Sequence, residues 1–287
     1  MFPRPDRIIV AQYEPTAGLS LVAAAELLGE SRRAVAAQLV DFAVRGVVTV
    51  GRAGRRFTLE LARPEALAPR DEPAGQDERD ILHALFGSLM PGARVDLSSG
   101  RNRDLGVRLR EQHRRVVARL VVAGLVRERS WLERAVVFWR QQPTEPTAQA
   151  HPAIDHLWGV HDYIRLAEQD RFRVLQSPSG ALTTPHGELE LFRLHERLLP
   201  YAVLFGLEKE WMRELDVQYR SIPQETLDQL DTALQVVDVA VHGVALAIDI
   251  ADLVTAIDLG HAAEGLGAFL GGLGDAIGDI DIPSIDL

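Results

Sequence analysis

The stretch LLPYAVLFGLEKEW, at Leu198–Trp211, separates a basic, alanine-rich part of the chain from an acidic, glycine-rich part. It is apolar on both sides of a segment bracketed by Pro200 and Gly206. Pro200 lacks the amide hydrogen that an uninterrupted helix uses, so we expect a helix to kink or restart there. Gly206 allows a second break, because glycine tolerates backbone conformations that other residues avoid. The stretch therefore predicts a short apolar segment that redirects the chain.

A preceding helix is predicted to receive the aromatic side chains of this stretch. Apolar residues from Leu157 to Leu175 recur at helical spacing and indicate a helix over about 155–176. Three aromatic side chains are expected to pack against it: Tyr201, Phe205 and Trp211. The pattern is that of a structural element in a helical domain and not of a catalytic site.

The composition limits the class of protein. The 287 residues, 47% of them hydrophobic, suffice for two or three small domains. The absence of cysteine excludes disulfides, thiolate zinc sites and cysteine nucleophiles, and it fits a reducing cytosol. The first ten residues lack the apolar core of a signal peptide, and no uncharged apolar run reaches the ~18 residues of a membrane helix. We therefore expect a cytoplasmic protein.

The net charge of −10 is distributed unevenly along the chain. Residues 1–140 contain 23 arginines and 17 acidic residues, whereas residues 141–287 contain 8 basic and 24 acidic residues. The two halves can attract each other, or the basic half can bind an external anion. All but one of the basic residues are arginine, which suggests a GC-rich coding bias. Arginine content alone is therefore a weak argument for nucleic-acid binding.

Residues 1–68 have the pattern of a winged helix-turn-helix domain. We expect Ser20 to cap a helix through Leu28, because its hydroxyl can accept from the free amides of the first turn. Ser31 is predicted to cap a second helix, and Gly46 is predicted to end it. Two short segments of strand composition follow, with GRAGRR between them, and predict a β-hairpin. Helix, turn, helix and two-stranded wing is the order of elements in a winged helix.

The rest of the chain is predicted to form a second domain, a linker, a helical domain and a tail. Residues 76–140 partly repeat the first pattern and predict a degenerate winged-helix-like domain, after a polar, proline-containing connection. Residues 141–153 have the composition of a flexible linker, and residues 154–220 that of a helical domain. Residues 221–287 predict an amphipathic helix and a Gly/Asp-rich end. The predicted fold is mainly α with small β-hairpins, in tandem winged-helix-like domains followed by a helical domain and a long tail.

Several separated motifs resemble the cytosolic region of the YciQ-like predicted membrane proteins, a bacterial family with a domain of unknown function. YEPTAGLSLVAAAELLG and LVDFAVRGVVTV resemble its first part, and GVHDYIRLAEQDRFRVLQSP with ERLLPYAVLFGLEKEW resembles its LPYA motif. The resemblance covers about residues 9–215, with a gap, and implies a structural role for the motif positions. These are Tyr163, Glu168, Pro200, Tyr201, Gly206 and Trp211.

The resemblance also implies proximity to a membrane. Family members resemble membrane-anchored proteins with this region on the cytoplasmic side. Where their membrane helical pair is expected, this chain has only the aromatic decapeptide WLERAVVFWR and the linker. Two interpretations stay open: a soluble relative, or a chain from which the membrane segments were removed.

Five arginines in the first predicted domain support DNA binding as an alternative function. Arg32 and Arg33 lie at the start of the predicted second helix, and Arg52, Arg55 and Arg56 lie on the predicted wing. In winged helices these positions contact the major groove and the phosphates. The competing interpretation is a set of solvated arginines on a module that binds protein.

Other features weaken the DNA-binding interpretation. Acidic residues, Glu26 among them, dilute the basic face, and Gln38 is the only side chain of the second helix suited to reading bases. A further arginine cluster can equally pair with the acidic half of the chain. Its members are Arg101, Arg103, Arg108, Arg110, Arg114 and Arg115.

No pattern of metal ligands or catalytic residues stands out. His151, His156 and His161 are spaced by five, which rotates each about 140° from the last on a helix, so they cannot share a face. No P-loop, dinucleotide fingerprint, G-x-S-x-G or H-E-x-x-H motif occurs. We expect neither a cofactor nor a metal, and we infer no small-molecule ligand. Four glutamates around the LPYA motif are expected on the helix surface: Glu168, Glu196, Glu208 and Glu210.

The leading hypothesis is a non-enzymatic interaction or scaffolding module whose partner is a protein, either a second copy or another chain. The alternatives are a winged-helix DNA-binding regulator and, third, an uncharacterised enzyme.

Overall fold

The computed structural model is mainly helical with small antiparallel sheets, which confirms the predicted fold class at that level. It describes residues 2, 4–5, 9, 11–12, 18–53, 56–69, 71–97, 103–129, 144–166, 188–208, 210–211 and 214–215. These residues include seven α-helices and five β-strands. The predicted aromatic decapeptide and the predicted tail lie outside the described residues.

The first two helices are α1 (Leu21–Leu28) and α2 (Ala34–Val44). The Ser20 hydroxyl accepts from the Ala23 amide at 3.1 Å, so the predicted cap of α1 is confirmed. The predicted cap of α2 is wrong. Ser31 begins a 3₁₀ turn that runs to Arg33, and no side chain caps α2. The Ser31 hydroxyl is otherwise engaged, because it donates to a buried carboxylate of α1.

A three-stranded antiparallel sheet follows α2. Strands β1 (Val48–Ala53) and β2 (Arg56–Leu61) form the predicted hairpin, with Val48 opposite Leu61. Strand β3 (Arg94–Leu97) then pairs with the other edge of β2. Strand β3 belongs to the second predicted domain by sequence, yet it joins the sheet of the first, a pairing that local sequence does not reveal.

Two helices carry the middle of the chain, α3 (Pro73–Phe86) and α4 (Arg103–Val122). Helix α3 begins with a proline in its first turn, a position where the missing amide costs no hydrogen bond. The first turn of α3 lies in the segment before residue 76, which was predicted to be a polar, proline-containing connection. Gly124 lies just after α4 and has φ of 70°, a left-handed conformation that commonly follows the end of a helix.

The stretch 141–153, predicted to be a flexible linker, contains regular structure among its described residues. Strand β5 (Thr144–Pro146) pairs antiparallel with β4 (Val126–Glu128). Helix α5 (His151–Arg165) begins within the same stretch. Proline content suggested a linker, but the tertiary partner β4 supplies the hydrogen bonds that order this segment. The helix predicted over 155–176 starts earlier, and its last ten residues lie outside the described residues.

The chain forms two separate helices on either side of Leu198, as Pro200 predicted. Helix α6 (Glu188–Arg197) ends before Leu198, and α7 (Leu199–Phe205) restarts with Pro200 in its first turn. Among the described residues of 208–215, all are helical.

One hydrophobic core connects elements from both ends of the part of the chain that the structure describes. Buried apolar residues of α1, α2, β2, α3, α4, α5 and α7 belong to a single cluster, together with Trp211 and Leu215. The largest fully buried side chains include Trp211, Tyr163 and Phe42. Within the described part of the chain, no helix has both the length and the apolar character needed to cross a lipid bilayer.

Candidate interaction site

Helix α2 is covered on nearly all sides. Nine of its 11 residues are buried, and it packs against α1, α6 and α7. A helix that is apolar around most of its circumference is a core helix, because no face is suited to water. Gln38, the predicted base reader, is 1% exposed and donates to Asp41 at 3.1 Å. In this conformation α2 presents no free face to a DNA groove.

Helix α7 is the element of the LPYA motif that lies on α2. Its last turn closes in a left-handed cap at Gly206, which has φ of 75°. The amide of Leu207 donates to the Ala202 carbonyl at 2.8 Å, and that of Gly206 to the Val203 carbonyl at 3.2 Å. This backbone conformation favours glycine strongly, which explains the residue at this motif position.

Arg33 connects the start of α2 to the end of α7. Its guanidinium donates to the Val203 carbonyl at 3.0 Å and lies 3.3 Å from the Glu208 carboxylate. Glu208 is only 2% exposed, whereas Arg33 is 30% exposed. A Cβ on Gly206 would lie 3.2 Å from the guanidinium carbon, so glycine also makes room for Arg33. We call Arg33, the Val203 carbonyl and Glu208 the latch.

The latch includes one residue that was expected at the surface, Glu208, and one candidate DNA contact, Arg33. Glu208 was expected at the helix surface, and it is buried because an arginine 175 positions earlier in the chain neutralises it. Glu210, two residues later, is exposed as expected. Arg33, a candidate DNA contact, has its guanidinium engaged within the chain.

Two motif residues, Tyr163 and Trp211, form a buried cluster with His195 of α6. The Tyr163 hydroxyl and the His195 ring nitrogen are 3.0 Å apart, and the Trp211 indole donates to the His195 carbonyl at 2.9 Å. The Trp211 ring lies edge-on to the His195 ring, and Phe205 lies edge-on to His161 of α5. Phe205 therefore contacts α5 as expected, and Trp211 contacts α6.

Two motif residues remain, Tyr201 and Glu168. Tyr201 is 5% exposed and belongs to the core. Glu168 lies outside the described residues.

Glu196 is a buried carboxyl with an unusual environment. It was expected at the surface, yet it is 8% exposed and its Oε1 has no hydrogen-bond partner. Burial raises the pKa of Glu196 to about 7, and the nearby Arg193 and Arg197 lower it only in part. The neighbouring His195 of α6 is also buried, at 2% exposure.

Glu26 is a second buried carboxylate and was expected to lie on the basic surface. It is 2% exposed and accepts hydrogen bonds from Ser31 at 2.6 Å and from Thr144, while His113 lies 3.3 Å away. Burial raises the pKa of Glu26, but the contacts with His113, Ser31 and Thr144 outweigh it and lower the value. Glu26 thus ties α1 to α4 and β5.

The Glu26 cluster does not have the geometry of a hydrolase triad. In a triad the carboxylate orients a histidine, and the histidine takes the proton of a hydroxyl. Here both hydroxyls donate directly to the carboxylate, so neither is activated as a nucleophile by His113. The arrangement satisfies a buried charge, which is a structural role.

The remaining arginines are placed in several ways. Arg32 is exposed, beside the engaged Arg33. Arg52 and Arg56 lie on the hairpin, at the ends of β1 and β2 that pair beside the turn, and Arg55 lies outside the described residues. In the second cluster, Arg114 and Arg115 lie 3.8 and 3.6 Å from Glu111 of their own helix.

No group of three or more potential metal ligands occurs among the residues that the structure describes. His151, His156 and His161 lie along α5, and His161 contacts Asp162 at 3.2 Å. Burial lowers the pKa of His161, which its contact with Asp162 only partly offsets.

Neither a protein-family model, nor a curated protein sequence, nor a solved structure matches this chain. The resemblance to the YciQ-like family therefore stays a prediction that rests on the quoted motifs.

Sequence reasoning missed the latch and the Glu26 cluster. Arg33 and Glu208 are 175 residues apart, and Glu26 and Thr144 are 118 apart. A single sequence contains no sign of such long-range pairs, because charged residues are expected at the surface by default.

Proposed function

We propose that the chain is a non-enzymatic protein-interaction module. In this proposal its winged-helix-like N-terminal part is closed by the LPYA segment, and its partner is a protein. The observation that carries the proposal is the position of α2, which lies under α7 with Arg33 engaged by Val203 and Glu208. A recognition helix that reads DNA needs a free polar face, and α2 is apolar and covered.

The charge asymmetry supports the same proposal. Arg33 belongs to the basic half of the chain and Glu208 to the acidic half, so their contact is an instance of attraction between the halves. The resemblance to the YciQ-like family adds a location at the cytoplasmic face of a membrane to the proposal.

Duplex DNA binding by the full chain tests this function. We expect no binding at low salt, where counterion release favours it most. Arg32→Ala and Arg33→Ala form a matched pair for this test: we expect Arg33→Ala to lower the free energy of unfolding and Arg32→Ala to leave it unchanged. Tight, salt-dependent DNA binding that both substitutions weaken equally would establish the regulator instead.

A further inference from the structure

We propose that α2 is the docking surface for a partner helix, that α7 occupies this surface as an internal ligand, and that Arg33 recognises the end of whichever helix is bound. This inference rests on the proposed function and names its partner class. The partner is an apolar helix that ends at a glycine and carries an acidic side chain two positions later, as α7 does.

The surface of α2 suits close helix packing. Four of its 11 residues are alanine, and all four are at most 5% exposed. Small side chains let two helix axes approach at the short end of the usual 8–10 Å range. Val40 and Leu39 add larger apolar contacts, at 0% and 1% exposure. An occupant must therefore be apolar, and α7 has six buried residues of seven.

Arg33 reads two features at the end of the occupant. The last carbonyls of a helix carry partial negative charge, and Arg33 donates to one of them, that of Val203, which also accepts from the Gly206 amide. The Glu208 carboxylate supplies a full negative charge on the same guanidinium. Gly206 permits both contacts, because a side chain there would meet the guanidinium. The recognised pattern is helix, glycine, any residue, acid.

Helix α7, the internal occupant, can be displaced from α2. Helix α7 has seven residues, or two turns, which is too short to be stable without its packing partner. Arg33 is 30% exposed, so the carboxylate of a competing helix can reach the guanidinium from solvent. Displacement of α7 would expose the part of α2 that it covers, together with the Arg33 guanidinium that now contacts Val203 and Glu208.

A peptide with the sequence of residues 198–211 tests the proposal on the full chain. Its binding is measured by fluorescence anisotropy to chains carrying Glu208→Gln or, as the matched control, Glu210→Gln, which alters an exposed residue two positions later. We expect the Glu208→Gln chain to bind the peptide roughly tenfold tighter than the control chain, within the usual range of coupling between competing sites. We also expect a Glu208→Gln peptide to lose that gain. Equal binding to both chains would overturn the proposal.

Hydrogen exchange on the unaltered chain is the second measurement, and it decides the matter if Glu208→Gln prevents folding. We expect the amides of α7 to exchange through a local opening of lower free energy than the amides of α1. Exchange of α7 only through global unfolding would contradict a removable occupant. Duplex DNA binding would refute the proposed function. The results of peptide binding and hydrogen exchange do not depend on whether the chain binds DNA, so failure of the docking proposal is distinguishable from failure of the proposed function.

Discussion

At the scale of single residues, buried carboxylates decide much of this structure. Glu208 pairs with the Arg33 guanidinium and Glu26 accepts hydrogen bonds from two hydroxyls, whereas Glu196 has an oxygen without a hydrogen-bond partner. Burying a carboxylate is unfavourable unless such partners compensate it. Glu196 is therefore expected to destabilise the fold when it is ionised.

Glu196→Gln is predicted to stabilise the protein at alkaline pH. Because the folded pKa of Glu196 is raised from 4.5 to about 7, the folded state holds this proton more tightly than the unfolded state. Stability from this group is thus greatest below pH ~4.5 and decreases as the pH rises through ~7. The shift corresponds to about 3 kcal/mol at most, so we expect Glu196→Gln to raise the free energy of unfolding by about 1–3 kcal/mol at pH 8.

Denaturant unfolding at pH 5 and pH 8 measures this effect, with Glu210→Gln as the exposed control. The gain at pH 5 should be much smaller than the gain at pH 8. A gain that is equal at both values of pH would show that Glu196 does not titrate in this range.

Local residue chemistry was predictable where it depends on near neighbours. The cap at Ser20 and the stop at Gly46 follow from short-range hydrogen bonds and from a φ of 67° at the glycine. The cap at Ser31 failed because its hydroxyl has a tertiary partner, which no local rule includes.

At the scale of elements, Gly206 joins a backbone requirement to a packing requirement. Its φ of 75° resembles that of Gly87, which is 73°. A Cβ on Gly87 would meet nothing within 4 Å, whereas one on Gly206 would lie 3.2 Å from Arg33. Alanine at Gly87 therefore has only the free-energy cost of the left-handed backbone. Alanine at Gly206 has that cost and, in addition, the cost of moving the Arg33 side chain.

We predict that Gly87→Ala lowers the free energy of unfolding by about 1–2 kcal/mol, from the left-handed backbone alone. Gly206→Ala should cost about 1 kcal/mol more, because the guanidinium must also shift away from a buried carboxylate. Thermal or denaturant unfolding of both variants measures the difference. Equal costs would mean that Arg33 adapts freely and that the latch is loose.

The sequence pattern predicted which helices and strands are present, but it did not predict which strands pair with each other. The first two predicted helices, α1 and α2, and the predicted hairpin of β1 and β2 are all present in the structure. The pairing of β3 with β2 and of β4 with β5 depends on contacts far apart in sequence. Proline-rich composition misdirected the interpretation of β5, because Pro146 lies at the end of a short strand of a two-stranded sheet, where proline is tolerated.

At the scale of the whole molecule, the two ends of the described chain share one core. Backbone hydrogen bonds join Phe2 to Leu28 and Gln12 to Gly159, and α7 lies on α2. The order of helix, helix and hairpin was sufficient to suggest a winged-helix-like unit. It gave no indication that the second helix is covered by a segment more than 150 residues later. That contact is the basis for proposing a protein-interaction module and not a DNA-binding regulator.

The most direct test of this account is the coupling free energy between Arg33 and Glu208, measured by a double-mutant cycle. The cycle compares the unfolding free energies of Arg33→Ala, Glu208→Ala and the double variant, with Arg32→Ala in place of Arg33→Ala as the control. The account predicts a coupling of about 1–3 kcal/mol for Arg33 and close to zero for Arg32. A coupling for Arg33 as small as that for Arg32 would contradict it.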